Sequence, residues 1–158
     1  MKHIWAPWRI EYIRSNKDEG CIFCDKAAES DDPKNYILYR GSLCFVMLNA
    51  YPYNPGHLMV APYRHVDNVE GLSDDELLQL FDLVRKSTRA LTEAYNPQGF
   101  NIGINQGRVA GAGIEDHIHA HVVPRWNGDT NFVTTVADLR VLPDALSSTY
   151  EDLKGKII

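Results

Sequence analysis

Three histidines alternate with small apolar residues in the stretch His117-Ile118-His119-Ala120-His121-Val122-Val123-Pro124. Alternate side chains of a β-strand share one face, so this spacing predicts a strand that presents the three imidazoles together and buries Ile118, Ala120 and Val122. At a rise of about 3.3 Å per residue, the outer two imidazoles would lie about 13 Å apart. Zn–N bonds are only about 2 Å long, so the outer pair could not easily share one ion. The three histidines are therefore expected to have different roles.

Length and charge narrow the class of protein. At 158 residues the chain is long enough for one domain with a substantial core. It carries 16 Lys and Arg against 21 Asp and Glu, a net charge of −5, whereas affinity for nucleic acid depends on clustered basic residues. The N-terminus lacks the apolar core of a signal peptide, and no apolar run is long enough to span a bilayer. We therefore expect a cytoplasmic protein that binds neither nucleic acid nor a membrane.

The pattern of apolar residues and turns predicts an α+β fold built on an antiparallel sheet of about five strands. Strands are predicted at 36–39, 43–48, 56–61 and 100–104, and the histidine stretch supplies the fifth. Short turn-rich connections join most of these segments, and few crossover helices separate them. Such connections favour antiparallel neighbours.

Two helices are predicted. Ser73 and Glu76 have the spacing of a capping box, and the helix that follows ends at Asn96-Pro97. Its inward face is predicted to carry Leu77, Leu80, Phe81, Val84 and Leu91. A short C-terminal helix is predicted over 143–153, with Leu146, Tyr150 and Leu153 facing inward.

The loop before the histidine stretch, residues 105–116, contains three glycines. Glycine permits positive φ and a close approach of backbone N–H groups to a ligand, as an anion-binding loop requires. The same composition also fits a flexible hairpin connection.

Cysteine spacing indicates a metal site. Cys21 and Cys24 have the two-residue gap of a metal knuckle, and the chain has three cysteines, an odd number. In a reducing compartment zinc is favoured over a disulfide, although a pair of free buried thiols is the alternative. Cys44 lies in an apolar run and is predicted to be a small core residue.

Together these motifs resemble the HIT (histidine triad) superfamily of nucleotide hydrolases and transferases. The matching segments are the histidine stretch, Asn54-Pro55-Gly56-His57-Leu58-Met59-Val60, Gln106-Gly107 and Val123-Pro124-Arg125-Trp126. Segments 5–9, 48–57 and 124–132 look like the diadenosine tetraphosphate phosphorylase and hydrolase group. The resemblance implies one HIT domain over 1–158, with an N-terminal extension (1–35), a core (36–126) and a C-terminal segment (127–158). It also implies a homodimer whose sheets join edge to edge.

The resemblance assigns roles to individual residues. His119 would be the nucleophile that attacks the α-phosphorus, His121 would donate to phosphate or leaving-group oxygens, and His57 would support the triad. Neutral imidazole is available near pH 7, is a good nucleophile and leaves phosphorus readily. Asn49 matches a ribose-binding position, and Gln106 matches a glutamine that contacts phosphates. A loop amide that bonds its own backbone is the alternative for Gln106.

One position departs from the family pattern. It leaves open whether water or inorganic phosphate accepts the nucleotidyl group from His119 in the second step of the reaction. Relatives often carry Gln or Ser four residues before the first triad histidine, at a position that touches the α-phosphate, whereas this chain has Gly113. A backbone N–H could replace that side chain, so both hydrolase and phosphorylase activity fit. The expected substrate is an adenine nucleotide or a dinucleoside polyphosphate. A nucleoside phosphoramidase and a non-catalytic nucleotide-binding sensor are the alternatives.

The resemblance also completes the metal site. Zinc-containing HIT proteins pair such a knuckle with a histidine after the third strand and with the first triad histidine, which here are His65 and His117. With Cys21 and Cys24 these residues would hold Zn²⁺ as a tetrahedral Cys₂His₂ site. No coordination position stays open in that arrangement, so the zinc would be structural. Hydrogen bonding near the helix approach is the alternative role for His65.

Overall fold

A computed structural model describes residues 20–129 and 145–158. The motif at 5–9 and the predicted features at 130–132 and 143–144 lie outside the described residues. The elements in chain order are α1 (Ile22–Ala28), α2 (Asp32–Asn35), β1 (Ile37–Arg40), β2 (Cys44–Leu48), β3 (Leu58–Pro62), α3 (Asp74–Tyr95), β4 (Gly99–Ile104), a 3₁₀ turn (Arg108–Ala110), β5 (Ala120–Arg125) and α4 (Leu146–Leu153).

The five strands form one sheet in the order β1-β2-β3-β5-β4, and each neighbouring pair is antiparallel. The predicted α+β fold with a five-stranded antiparallel sheet is therefore confirmed. β1, β2 and β3 each begin one or two residues later than predicted, and turns precede β1 and β3. Tyr36 caps α2 in the left-handed region with a φ of 55°, and Gly56 has a φ of +77° just before His57 donates its backbone N–H to Asn54 O.

Both faces of the sheet are covered, so β2 and β3 are buried throughout. One face packs against α3 and α4 around a large core that includes Val46, Val60, Ala120 and Val122. The opposite face carries a smaller cluster, the knuckle-side core, whose buried members are Phe23, Ile37, Phe45, Met47, Met59 and Ala61. Cys44 is buried in the large core, as predicted.

The long helix α3 follows its predicted bounds. Ser73 and Glu76 form both hydrogen bonds of the capping box, and Asn96 ends the helix in the left-handed region. The prediction that Phe81 faces inward is wrong, because its side chain is 56% exposed. Phe81 lies about 100° around the helix from the buried Leu80, so it points away from the core.

The histidine segment keeps its alternation, but its strand starts later than predicted. Ile118, Ala120 and Val122 are buried in the large core, as predicted, whereas hydrogen-bonded pairing with β4 begins only at Ala120. Before that point the chain is outside the strand, and Ile118 N donates to Val66 O.

At the C-terminal end, Tyr150 and Leu153 of α4 are buried in the core, whereas Leu146 is only half-buried. Among the described helices, none combines the length and the apolar character that crossing a membrane demands.

Candidate active site

The histidines project from the sheet face that α1 covers. His121 lies opposite Met59 in the antiparallel pair of β3 and β5, and Met59 belongs to the knuckle-side core. Side chains alternate along the segment, so His117 and His119 point to the same face as His121. The cysteine knuckle and the triad therefore meet on one side of the sheet.

His119 is held in one tautomer. Its Nδ1 lies 2.8 Å from the backbone oxygen of His117, and a carbonyl oxygen only accepts, so Nδ1 carries the proton and donates it. The lone pair is therefore on Nε2. Burial lowers the pKa of His119, and the hydrogen bond to the carbonyl opposes that shift only in part. At neutral pH this side chain is a neutral imidazole with a nucleophilic Nε2.

His57 and His121 are joined by a hydrogen bond in which His57 is the donor. The backbone N–H of Tyr53 donates to His57 Nδ1 at 3.1 Å, so His57 carries its proton on Nε2. That Nε2 lies 2.9 Å from His121 Nδ1, which must accept, and the proton of His121 is consequently on its own Nε2. This chain of hydrogen bonds makes His121 a donor next to the ring of His119, whose centroid is 4.8 Å away.

Burial keeps both rings of this pair uncharged. It is the main cause that lowers the pKa of His57 to about 3, and the charges of His121 and His119 lower it further. Burial and the charge of His119 lower the pKa of His121 to about 4. Neutral rings allow each histidine to accept on one nitrogen and donate on the other.

Asn49, the predicted ribose reader, is joined to this histidine pair. Its Oδ1 accepts from Tyr51 N at 2.9 Å, and its Nδ2 lies 3.4 Å from His57 Nδ1. The half-buried side chain thus helps to fix the tautomer of His57. One amide proton and one oxygen lone pair stay available for a ligand.

The structure places the two predicted phosphate contacts in the exposed loop before the histidines. Gln106 Oε1 accepts from Val69 N at 3.0 Å, a backbone group 37 residues away and not one of its own loop. Its amide nitrogen can still donate to a ligand. Gly113 is exposed in the same loop, six residues before His119.

The four predicted metal ligands come together. The ligand atoms of Cys21, Cys24, His65 and His117 all lie within 4.8 Å of one another. His117 Nδ1 is 3.2 Å from Cys21 Sγ and 3.5 Å from Cys24 Sγ, and His65 Nδ1 is 3.5 Å from Cys24 Sγ. Tetrahedral bonds of about 2.0–2.3 Å place ligand atoms roughly 3.3–3.8 Å apart, so the three distances of 3.2 to 3.5 Å are close to those around one zinc ion.

The protonation states around this cluster also suit a metal. His117 Nε2 lies 2.8 Å from Pro62 O and must donate, which leaves the lone pair on Nδ1 facing the two sulfurs. Burial and the neighbouring Cys21 raise the pKa of the Cys24 thiol to about 11. Zinc binding would therefore release protons from the thiols.

Two residues at the site were not singled out by the sequence analysis. Phe23 is fully buried, and its ring centroid lies 5.1 Å from that of His117 and 4.8 Å from that of His119. Tyr53 is 48% exposed, and its ring centroid lies 4.6 Å from that of His57. The only sequence signal for either is position, since Phe23 stands inside the knuckle and Tyr53 four residues before His57.

This fold and this arrangement of histidines define a class of protein. Residues 31–128 match the HIT domain, so the chain belongs to the HIT family. It is 38% identical over 158 residues to the AP-4-A phosphorylase of Mycobacterium tuberculosis, a match that covers 94% of this chain and 80% of that protein. The chain is thus an enzyme of the HIT type, and the resemblance found in its sequence is confirmed.

Two further relatives bear on the site. A Zn-bound histidine triad family protein from Mycobacterium smegmatis superposes with a TM-score of 0.70 at 26% identity, over 87% of this chain and 93% of that chain. The asymmetrical bis(5'-nucleosyl)-tetraphosphatase of Schizosaccharomyces pombe is 36% identical over 93 residues, which is 59% of this chain and 50% of that protein.

Proposed function

We propose that this enzyme cleaves dinucleoside polyphosphates, such as diadenosine tetraphosphate, at the α-phosphate and transfers the nucleotidyl group through His119. The observation that carries the proposal is the hydrogen bond from His119 Nδ1 to His117 O, which leaves Nε2 as the nucleophile. A non-catalytic sensor would not need a histidine held in that tautomer. The similarity to a phosphorylase supports the same reaction class.

In the first step, Nε2 of His119 forms a bond to the α-phosphorus, and the bond from that phosphorus to the bridging oxygen breaks. From diadenosine tetraphosphate the leaving group is ATP. The ring of His119 becomes positively charged as it attacks, and the carbonyl of His117 at 2.8 Å stabilises this charge. His121, which carries its proton on Nε2, donates to the oxygens that gain negative charge.

In the second step, an acceptor oxygen bonds to the phosphorus, the N–P bond breaks, and His119 is restored as a neutral imidazole. Water as acceptor gives AMP, and inorganic phosphate gives ADP. We favour phosphate, because the similarity to the phosphorylase spans 94% of this chain and that to the tetraphosphatase spans 59%.

The remaining predicted contacts keep their proposed roles. Asn49 would meet the ribose while it holds His57, and its hydrogen bonds to Tyr51 N and His57 Nδ1 leave part of the carboxamide for this contact. Gln106 and Gly113 lie in the loop that leads to the triad, where an amide nitrogen and the backbone can meet phosphate oxygens.

Cys21, Cys24, His65 and His117 would hold a structural zinc ion. The donor set and the separations of the ligand atoms support this assignment, and a similar structure is a Zn-bound family member. All four protein ligands are used, so no position is left for substrate.

The homodimer belongs to the same proposal. Strand β4 is an outer strand of the sheet, and its sequence, residues 99–104, contains no proline and no charge. Proteins usually protect an exposed sheet edge with proline or charged residues. Ile102 on this edge is 48% exposed. A second copy of β4 would pair with this edge, as the predicted edge-to-edge dimer requires.

Product analysis tests the proposed function. The enzyme is incubated with diadenosine tetraphosphate, with and without inorganic phosphate, and the nucleotides are separated. ADP and ATP, formed only with phosphate, are expected. ATP and AMP would identify water as the acceptor and overturn our choice of phosphate. Intact substrate in both reactions would overturn the function itself.

A further inference from the structure

Phe23 links the cysteine knuckle to the nucleophile. It lies between Cys21 and Cys24 in sequence and occupies the first turn of α1, for which Cys21 is the N-cap. The neighbouring Ile22 is exposed, whereas Phe23 is fully buried. The knuckle therefore directs one large apolar side chain into the protein.

The ring of Phe23 packs against the ring of His119. The two centroids are 4.8 Å apart with an interplanar angle of 40°, and the ring of His117 is 5.1 Å from the same phenyl ring. Aromatic rings at such separations are in direct contact. One phenyl ring thus packs against both a metal ligand and the nucleophile.

Hydrogen bonding alone does not fix His119. The bond from Nδ1 to His117 O restrains one edge of the ring, and His119 can still tilt about that bond. Among the residues that the structure describes, the rings of Phe23 and His121 pack against it and limit this tilt. His121 must also serve the substrate, whereas Phe23 has no polar group and acts on His119 by packing alone.

We propose that Phe23 is a positioning residue through which the Cys21–Cys24 knuckle holds the imidazole of His119 in line with the α-phosphorus. The metal site then contributes to catalysis by orientation as well as to folding. Errors of about 1 Å in the placement of a reacting group can cost about 100-fold in rate. The inference rests on the proposed role of His119.

The test compares Phe23→Leu with Phe45→Leu. Phe45 is a matched control, because it is also a fully buried phenylalanine of the knuckle-side core. Its ring contacts those of Phe23 and Tyr63. Both variants are purified with zinc, their metal content is measured, and kcat and KM for diadenosine tetraphosphate are determined together with Tm.

We expect kcat to fall about 10- to 100-fold in Phe23→Leu, with KM changed less than threefold and one zinc retained. Phe45→Leu should lose a similar amount of Tm but keep kcat within about threefold. Phe23→Tyr, which keeps the ring, should restore most of kcat. If Phe23→Leu does not fold, Phe23→Met takes its place. Wild-type kcat in the leucine or methionine variant, or equal losses at Phe23 and Phe45, would overturn the proposal.

A second measurement separates this inference from the proposed function. Long-range ¹H–¹⁵N NMR spectra of histidine side chains report which ring nitrogen carries the proton. His119 should show the Nδ1–H form in all three proteins, because His117 O sets the tautomer. In Phe23→Leu alone the ring signals of His119 should be broadened by tilting about that hydrogen bond. His119 signals that stay as sharp in Phe23→Leu as in the wild type overturn the positioning role. If the wild type cleaves no dinucleotide, the proposed function fails while this NMR result still decides whether Phe23 holds the ring.

Discussion

At the residue scale, the chemistry depends on which nitrogen of each histidine carries its proton. Backbone groups decide this for three of them: His117 O for His119, Tyr53 N for His57 and Pro62 O for His117. Backbone carbonyls only accept and amides only donate, so these partners leave no ambiguity. One ring type can therefore serve the three roles proposed here, those of nucleophile, hydrogen-bond donor and metal ligand.

Replacement of His119 tests the nucleophile. We expect His119→Ala to lower turnover of diadenosine tetraphosphate at least about 1,000-fold while nucleotide affinity changes by less than about threefold, because binding is spread over other contacts. Substrate labelled at the α-phosphate should leave label on denatured wild-type protein and none on His119→Ala. His121→Gln is the control and should still trap label, more slowly. Label retained by His119→Ala would contradict the assignment.

The buried neutral His57 makes stability depend on pH. Its folded pKa of about 3 lies below the ordinary value of 6.5, so the unfolded chain takes up a proton that the folded one refuses. This contribution to stability is complete above pH 6.5 or so and is lost as pH falls toward 3. Between pH 7 and pH 5, unfolding free energy should fall about 2 kcal/mol more in the wild type than in His57→Gln. Denaturant titrations at both values check this.

Because both proteins keep the cysteine–histidine cluster, its own acid sensitivity cancels in that comparison. Identical changes in the two proteins would show that His57 is not the group responsible.

At the element scale, α3 carries one unsatisfied group. Ser87 is fully buried in this helix, and its hydroxyl has no hydrogen-bond partner within the part of the chain that the structure describes. Such a group costs free energy because it loses water without replacement. The helix tolerates the cost, since its capping box and its apolar face against β2, β3 and β5 stabilise it.

Removal of that hydroxyl should stabilise the fold. Ser87→Ala is expected to raise the free energy of unfolding by about 1 kcal/mol, because it deletes an unpaired polar group and improves helix propensity. Guanidinium unfolding measures the change. Ser148→Ala, at an exposed position of α4, is the control for helix propensity alone. It should raise the free energy of unfolding by less than Ser87→Ala. A loss of stability in Ser87→Ala would mean that the hydroxyl is satisfied in solution.

At the scale of the whole molecule, the proposed dimer depends on the sheet edge at β4. We expect a dimeric wild type. Ile102→Glu places a charge on this edge and should give a monomer, whereas Leu78→Glu on α3, where Leu78 is 73% exposed, should stay dimeric. Sedimentation equilibrium distinguishes the two masses. A monomeric wild type, or a dimeric Ile102→Glu, would rule out pairing through β4.

Loss of a zinc ligand tests whether the metal connects the N-terminal knuckle to the sheet. We expect one zinc per chain, and Cys24→Ser should lose the metal together with about 3 kcal/mol of stability, roughly 10 °C in Tm. Cys44→Ala is the control, because Cys44 is buried in the large core, on the other face of the sheet from the knuckle. It should retain one zinc by elemental analysis. Full zinc in Cys24→Ser would contradict the Cys₂His₂ site.

The sequence by itself determined the features that depend on local periodicity. Alternation over 117–123 indicates which residues enter the core, and the capping box at Ser73 indicates where α3 begins. These patterns can be recognised in the sequence because backbone geometry fixes the repeats of strands and helices. Even so, the inward prediction for Phe81 fails, because the width of the buried face depends on what packs against it.

Only the tertiary structure decided what depends on contacts between distant parts of the chain. Phe23 reaches His119 across 96 positions, and His57 meets His121 across 64. The tautomers follow from the same kind of contact, since the partner that fixes His117, Pro62 O, stands 55 positions away. Spacing along a chain specifies which face a side chain occupies, but folding alone specifies what lies opposite it.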